Sequence, residues 1–264
     1  MTNKTRSGAR WRALAAMGVA ALALTACSSP GSTTSPTPSP DQPNPAAGAP
    51  AVPVASGPYP YGQIQQKAAP IANGEVPVVR RITTDKPYVF ITMDDGAIPQ
   101  PEAPQLIKDS GGHPVLFLNQ KYVHGHEAYF KSILDSTGAV LGDHTVDHPN
   151  LKGKPYEFQK KEICDDADDL QKGLGQRPTL FRPPFGNYDS NTLKAAAACG
   201  MRASVLWSAA VNDGVVQFQV GNKLRPGDIV LMHFRKTFVE DYNAFLAEAK
   251  KDGLTPVPLA DFLG

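Results

Sequence analysis

The sequence predicts a parallel α/β fold, and three observations predict it. Short apolar runs of strand length alternate with longer amphipathic stretches of helical period. Glycines follow the helical stretches where C-terminal stops belong, at Gly111, Gly112, Gly138, Gly175, Gly200 and Gly253. Polar residues stand at or just past the carboxyl ends of the apolar runs: Asp94, Asp95, His144, Arg182 and His233. In parallel barrels, reactive side chains project from those ends.

The elements follow in order. Residues 88–93 read as a buried strand, and 115–118 as a second. Residues 139–142 end just before His144, and 179–182 end on Arg182. Two more runs lie at 203–207 and 228–233, and a short last one at 255–257. Helical patterns fall at 101–109, 126–135, 155–174, 189–199 and 238–250. In the second of these, Tyr129, Phe130, Ile133 and Leu134 share one face. Residues 76–83 could add an edge strand, while the stretch around them could instead belong to a tether.

Ahead of this pattern the composition changes. Lys4, Arg6, Arg10 and Arg12 precede an apolar run at 13–23 that is too short to span a bilayer. Leu24, Thr25, Ala26 and Cys27 then resemble a bacterial lipoprotein signal. That resemblance implies cleavage before Cys27 and lipidation of its thiol. The alternatives are an ordinary secretory peptide or an uncleaved anchor. Residues 28–60 are rich in Pro, Ser, Thr, Gly and Ala and bury too little to offset the entropy of ordering. The chain thus divides into a leader at 1–26, a lipidated cysteine with its tether at 27–70, and one domain at 71–264. It is expected to be exported and membrane-anchored, facing the cell wall. With 26 basic and 25 acidic residues, the net charge of +1 offers no footprint for nucleic acid. Of the three cysteines, Cys164 and Cys199 can pair as a disulfide in an oxidising compartment or remain two buried small hydrophobes.

The chemistry centres on Asp94 and Asp95. Neighbours on a strand face opposite ways, but with Gly96 following the chain can turn and bring both carboxylates to one cavity. Like charges so close raise one pKa unless a cation neutralises them. Asp-Asp-Gly is also a common loop sequence. His144 and His148 are spaced so that, on a helical turn, both rings share a face. One carboxylate and two imidazoles suffice for a divalent metal with open positions, and the second carboxylate stays free to move protons. Asp147 between the histidines is expected to be solvated, His124 and His126 to lie on the surface, and His113 to be structural. Pro183 and Pro184 stiffen the loop after Arg182, which would orient a carboxylate or pair with any acid. His233 reads either as a general acid or as a core histidine bonded to a carbonyl.

Taken together, the sequences at 92–96 (TMDDG), 144–149 (HTVDHP), 182–186 (RPPFG) and 231–233 (LMH) resemble the NodB-homology polysaccharide deacetylases, carbohydrate esterase family 4. The resemblance covers residues 78–264. It implies a distorted (β/α) barrel of about seven parallel strands. It implies a metal-dependent hydrolase that removes N-acetyl groups from amino-sugar polysaccharide, either cell-wall peptidoglycan or chitin-like oligomers. Asp95, His144 and His148 would hold the metal, usually zinc, with cobalt or another divalent ion as alternatives. Asp94 would be the base, Arg182 its partner, and His233 the acid for the leaving amine. The Phe185 backbone N–H would steady the oxyanion, Leu231 would receive the acetyl methyl, and Asp213 would orient His233. The chain departs from the pattern in places. Met93 replaces the usual Phe, an acid near Ala210 is missing, Gly214 stands where a Trp is common, and Phe234 replaces an acid. The acetate pocket would then be wider, or another aromatic such as Trp207 or Phe234 would close it. Two rival readings are an O-acetyl xylan esterase with the same machinery and a non-catalytic glycan-binding lipoprotein.

Overall fold

The computed structural model describes residues 59–264. The expected leader, Cys27 and most of the tether lie outside the described residues. Among the described residues no helix is long and apolar enough to cross a membrane.

Strand β1 (Val78–Val79) opens the chain of elements, followed by β2 (Tyr88–Asp95), α1 (Ala103–Asp109), β3 (Val115–Leu118), α2 (Gln120–Val123) and α3 (Glu127–Thr137). Then come β4 (Val140–Asp143), α4 (Tyr156–Leu174), β5 (Leu180–Phe181), α5 (Ser190–Ala198) and β6 (Ala203–Val205). The last are β7 (Ala209–Asn212), β8 (Val215–Phe218), β9 (Ile229–His233), α6 (Phe238–Lys251) and β10 (Thr255–Pro256). The strands run in the order β1-β6-β5-β4-β3-β2-β9-β7-β8, with β10 paired to the start of β2. Every pairing is parallel except β7 with β8. The sheet is an open, distorted (β/α) barrel, as expected.

The alternation of β2 explains its two faces. Val89, Ile91 and Met93 pack outward with Leu116, Phe130, Val230 and Phe238, beneath the helices. Phe90 points inward and joins Phe117, Leu180, Val205, Ile229 and Phe262 inside the barrel. Thr92 and Asp94 continue that inward row, and both are buried. The apolar interior therefore ends in a polar layer at the carboxyl ends of the strands.

Two features differ from the sequence expectations. The sheet has ten strands instead of about seven. The additions are β1, which fulfils the edge strand expected at 76–83, and the β7–β8 hairpin. Asp213 and Gly214 form the hairpin's two-residue loop with φ of 52° and 73°, the left-handed pair that tight hairpins require. The packed chain also starts earlier than residue 71. Tyr59 Oη and the Gly62 N–H both donate to Asp261 Oδ2, at 3.0 and 3.1 Å, and the Gln65 N–H donates to Asp261 O at 2.6 Å. Tyr59 packs edge-on against Tyr88. The tether-like composition hid these contacts because a few tyrosines and one aspartate carry them.

Cys164 on α4 is bonded to Cys199 at the end of α5, with a Cα–Cα distance of 4.9 Å and a separation of 35 residues. A loop of that length is expected to make the bond worth about 4 kcal/mol, largely through the unfolded state. Cys164→Ser should lower the unfolding free energy by about that amount in urea titrations. An unchanged midpoint would show that α4 and α5 hold without it.

Candidate active site

The polar layer is built by departures from regular backbone. Asp94 faces inward by the alternation of β2, so a continuing strand would send Asp95 outward. Instead Asp95 has φ 73° and Gly96 φ 83°, which swing the Asp95 carboxylate back into the same cavity. Gly96 is required twice over. Its backbone is left-handed, and a Cβ there would sit 2.8 Å from Phe130 Cζ.

His144 and His148 follow β4 on a loop. The helical turn expected from their spacing is absent, because Thr145 (φ 73°) and His148 (φ 59°) are both left-handed. Polar groups hold this loop. Asn119 Nδ2 donates to the carbonyls of His144 and, at 2.9 Å, Thr145. The His144 N–H donates to Asp166 Oδ2 at 3.2 Å and the Asp147 N–H to Glu162 Oε2 at 3.1 Å, both acids being on α4. Asp147 itself is exposed, as expected. His124 is also exposed, and His113 is half-buried against the ring of Tyr61.

The two rings converge on Asp95. His144 Nε2 and His148 Nε2 each lie 3.5 Å from Asp95 Oδ1. His144 Nδ1 is 2.6 Å from the Arg182 carbonyl oxygen, which places the proton on Nδ1 and leaves Nε2 as a lone pair facing the cavity. Burial pushes the His144 pKa down to about 3, so the ring is neutral. Asp95 Oδ1 is buried and has no hydrogen-bond partner among the described residues. A carboxylate oxygen and a lone-pair nitrogen this close call for a cation between them. The ligand atoms of Asp95, His144 and His148 all lie within 4.8 Å of one another. One carboxylate and two imidazoles fit a zinc-type site with positions left open.

Asp94 sits beside this triad. Arg182 Nη1 donates to Asp94 Oδ1 at 2.6 Å and to Thr92 Oγ1 at 2.8 Å. Arg182 Nε and Nη2 donate to the carbonyls of Val205 and Leu206. The guanidinium lies 4.3 Å over the Phe117 ring and is fully buried. Asp94 Oδ2 is 3.6 Å from His144 Nε2. Burial raises the Asp94 pKa, while Arg182 and His233 pull against it and leave a net rise. His233 lies opposite Asp94 in the β2–β9 register. Burial pushes its pKa down to about 4, against the pull of Asp94. Among the described residues its Nδ1 is buried without a partner, so Nδ1 is not bonded to a carbonyl as in a core histidine.

A polysaccharide deacetylase sequence profile matches residues 81–204, the stretch that supplies the triad, Asp94 and Arg182. Over that stretch the chain is similar to the polysaccharide deacetylase family. An uncharacterized protein of Streptomyces coelicolor is 44% identical over 156 residues, covering 58% of this chain and 62% of that protein. A bifunctional xylanase/xylan deacetylase of Cellvibrio japonicus is 30% identical over 152 residues, covering 55% of this chain and 23% of that protein. The chain thus spans less than two thirds of either relative. The solved structure of Bacillus subtilis PdaA superposes with a TM-score of 0.60 at 19% identity, over 76% of this chain and 95% of that one. A carbohydrate esterase family 4 pseudoenzyme from Bacillus anthracis also superposes with a TM-score of 0.60 at 19% identity, over 70% of this chain and 68% of that one. At these identities the superpositions show a shared fold.

The domain surrounds the triad with a cavity of about 420 Å³ lined by Asp94, Asp95, His144, His148, Phe185, Trp207, Leu231, His233 and Arg235, among others. Phe185 sits at φ 61° on a tight turn, 62% exposed, with its ring 4.6 Å from that of His148. Trp207 packs closely on Gly186, where a Cβ would approach the indole to 3.0 Å. Phe234 is fully buried beneath the helices, so of the two candidate aromatics only Trp207 reaches the cavity. Asp213 is not among the lining residues. It is exposed on the β7–β8 turn and makes no hydrogen bond to His233, because the hairpin carries it away from the strand end. A groove of similar size, lined by Gln120, His124, Glu127 and Asp169, brings together no metal-ligating cluster.

Sequence reasoning passed over Asn119, Asp143, Glu162, Asp166 and Arg235. Only Asn119 and Asp143 carried a signal, since both stand at strand ends. Burial, with Asp166 nearby, pushes Asp143 well above the usual carboxylate range, and its Oδ2 has no partner among the described residues. A carboxyl whose folded pKa is raised favours the folded state most below its ordinary pKa, near 4. That contribution is lost as pH climbs towards the folded value. Asp143→Asn should therefore stabilise the domain at neutral pH, by about 1 kcal/mol, and flatten the fall in stability above about pH 4. Thermal melts across that range would show it. A variant less stable at neutral pH would mean that Asp143 is held as a useful anion.

Proposed function

We propose that this domain is a metal-dependent N-deacetylase of cell-wall amino-sugar polysaccharide, carried by an exported lipoprotein anchored through Cys27. The observation that carries the reading is the convergence of Asp95, His144 and His148 on a buried, unpartnered oxygen, with Asp94 held by Arg182 beside it. A relative of this chain, PdaA of Bacillus subtilis, is described as a peptidoglycan-N-acetylmuramic acid deacetylase and is 24% identical over 193 residues.

Asp95, His144 and His148 would hold a divalent ion, zinc by the match of donor types. Such an ion supplies Lewis acidity, polarising a carbonyl and lowering the pKa of nearby water. The residues of the chain do the rest. Asp94 takes a proton from the attacking water at Oδ2, the oxygen that Arg182 leaves open, and its raised pKa suits it to hold that proton. Its negative charge favours protonated His233 against the burial that lowers that pKa to about 4, so the acid form is a minor one at neutral pH. Once Asp94 is neutral that support vanishes, so His233 gives its proton more readily to the departing nitrogen. The Phe185 N–H donates to the developing oxyanion. Leu231 and Trp207 offer apolar contact to the acetyl methyl and exclude water. An O-acetyl ester would meet the same groups.

A second reading, glycan binding without turnover, has one observation in its favour. His233 Nδ1 is unanchored, with Ala210 on the neighbouring strand and Asp213 out on the turn. Acetate release separates the two readings. The zinc-loaded protein is expected to release acetate from N-acetylated glycan, and Asp94→Asn to slow release by about 100- to 10,000-fold while still binding one metal per chain. His144→Ala is expected to lose the metal on dialysis. Stoichiometric metal with no acetate from peptidoglycan, chitin oligomers or acetylxylan would favour the binding reading. Full activity in Asp94→Asn would remove the base from Asp94.

A further inference from the structure

We infer that Arg235 selects substrates bearing a carboxylate next to the acetylated position, an acidic amino sugar of the N-acetylmuramic type. The inference rests on the deacetylase reading for the acetyl group and on the geometry of Arg235 for the acid. Arg235 lies two residues past His233 and lines the same cavity, half-buried. It makes one side-chain hydrogen bond among the described residues, from Nη1 to Asn212 Oδ1 at 2.8 Å. The Asn212 amide is oriented in turn by its Nδ2, which donates to Gln217 Oε1 at 3.1 Å.

The contrast with Arg182 is informative. Arg182 has all three of its nitrogens bonded and an aspartate to match its charge. Arg235 is steadied by a neutral amide and forms no ion pair among the described residues. An amide fixes the plane of a guanidinium without cancelling its charge, and leaves Nε and Nη2 to meet a further acceptor. Charge balance points the same way. A divalent ion on the triad would match Asp94 and Asp95 by itself. Arg182 and Arg235 would then leave the cavity positive, an environment suited to an anion and of no use to a neutral chitin oligomer. The charge of Arg235 is felt at both Asp95 and His233, so it borders the position of the acetamide. In N-acetylmuramic acid the lactyl ether sits on the carbon next to the acetamide, within that reach. A uronic acid on a neighbouring sugar would present the same carboxylate from a different source.

The test measures binding, apart from turnover. In the zinc-loaded Asp94→Asn background, calorimetry would compare a muramic-acid-containing tetrasaccharide, the same sugar as its methyl ester, and a uronate-containing acetylated oligosaccharide. The acid is expected to bind about 10-fold tighter than its ester, as a charge-assisted contact implies. Arg235→Met is expected to erase that ratio, and Arg235→Lys to restore part of it. Metal content, measured in each variant, should stay at one per chain. A preference for the uronate sugar over the muramic one would keep the role of Arg235 and change the source of the acid. Equal affinity for acid and ester, a preference that survives Arg235→Met, or no binding of any ligand would overturn the inference. Failure of the deacetylase reading would appear separately, as no acetate release by the parent protein whatever the binding ratios.

Discussion

The site depends on one buried guanidinium. Taking Arg182 out of water is costly, and only a complete set of partners offsets that cost. The chain provides them from opposite walls of the barrel: Asp94 and Thr92 on β2, and the carbonyls of Val205 and Leu206 at and just past β6. Phe117 closes one face. The carbonyl of the same residue fixes the tautomer of His144. One arginine thus sets the position of the carboxylate and, through its backbone, the direction of the imidazole lone pair. The two groups are held in relation to each other because they share this partner.

Around that fixed point, the chain reaches the site by leaving regular geometry. Asp95, Thr145, His148 and Phe185 are four of the six non-glycine residues with positive φ among the described residues. Each such residue costs about 1–2 kcal/mol against ordinary backbone. The cost is met locally, by Asn119, Glu162 and Asp166 for the histidine loop and by two prolines before Phe185. Regular strands carry side chains to alternate faces, so a cluster drawn from consecutive residues at a strand end needs such turns.

Much of this was legible in the sequence, for identifiable reasons. Strand ends could be read because apolar runs such as 228–233 stop abruptly on a polar residue. Helix ends could be read because Gly138 and Gly175 take the left-handed conformation that terminates α3 and α4. The disulfide between Cys164 and Cys199 was an open choice whose answer needed a distance. The errors also have physical causes. A spacing of four between histidines fits a helical turn, but the backbone of a loop held by buried acids is not encoded in spacing. Asp213 was assigned to His233 by motif, although Asn-Asp-Gly is equally a hairpin loop, and here the turn decides where it sits. Phe234 carried no clue that it faces the helices and leaves the cavity to Trp207. Arg235 was overlooked because a single arginine after a strand has no pattern of its own.

The placement of the cross-link has a consequence for maturation. Glu162 and Asp166, which hold the histidine loop, flank Cys164 on α4. The helix that steadies the ligands is therefore the helix that oxidation fastens to α5. A chain whose thiols are still reduced would present the same donor atoms on a less firmly seated support. If the triad takes an ion, its capture and oxidative folding would then be coupled steps, and the order in which a newly made chain completes them would affect how tightly an ion is held.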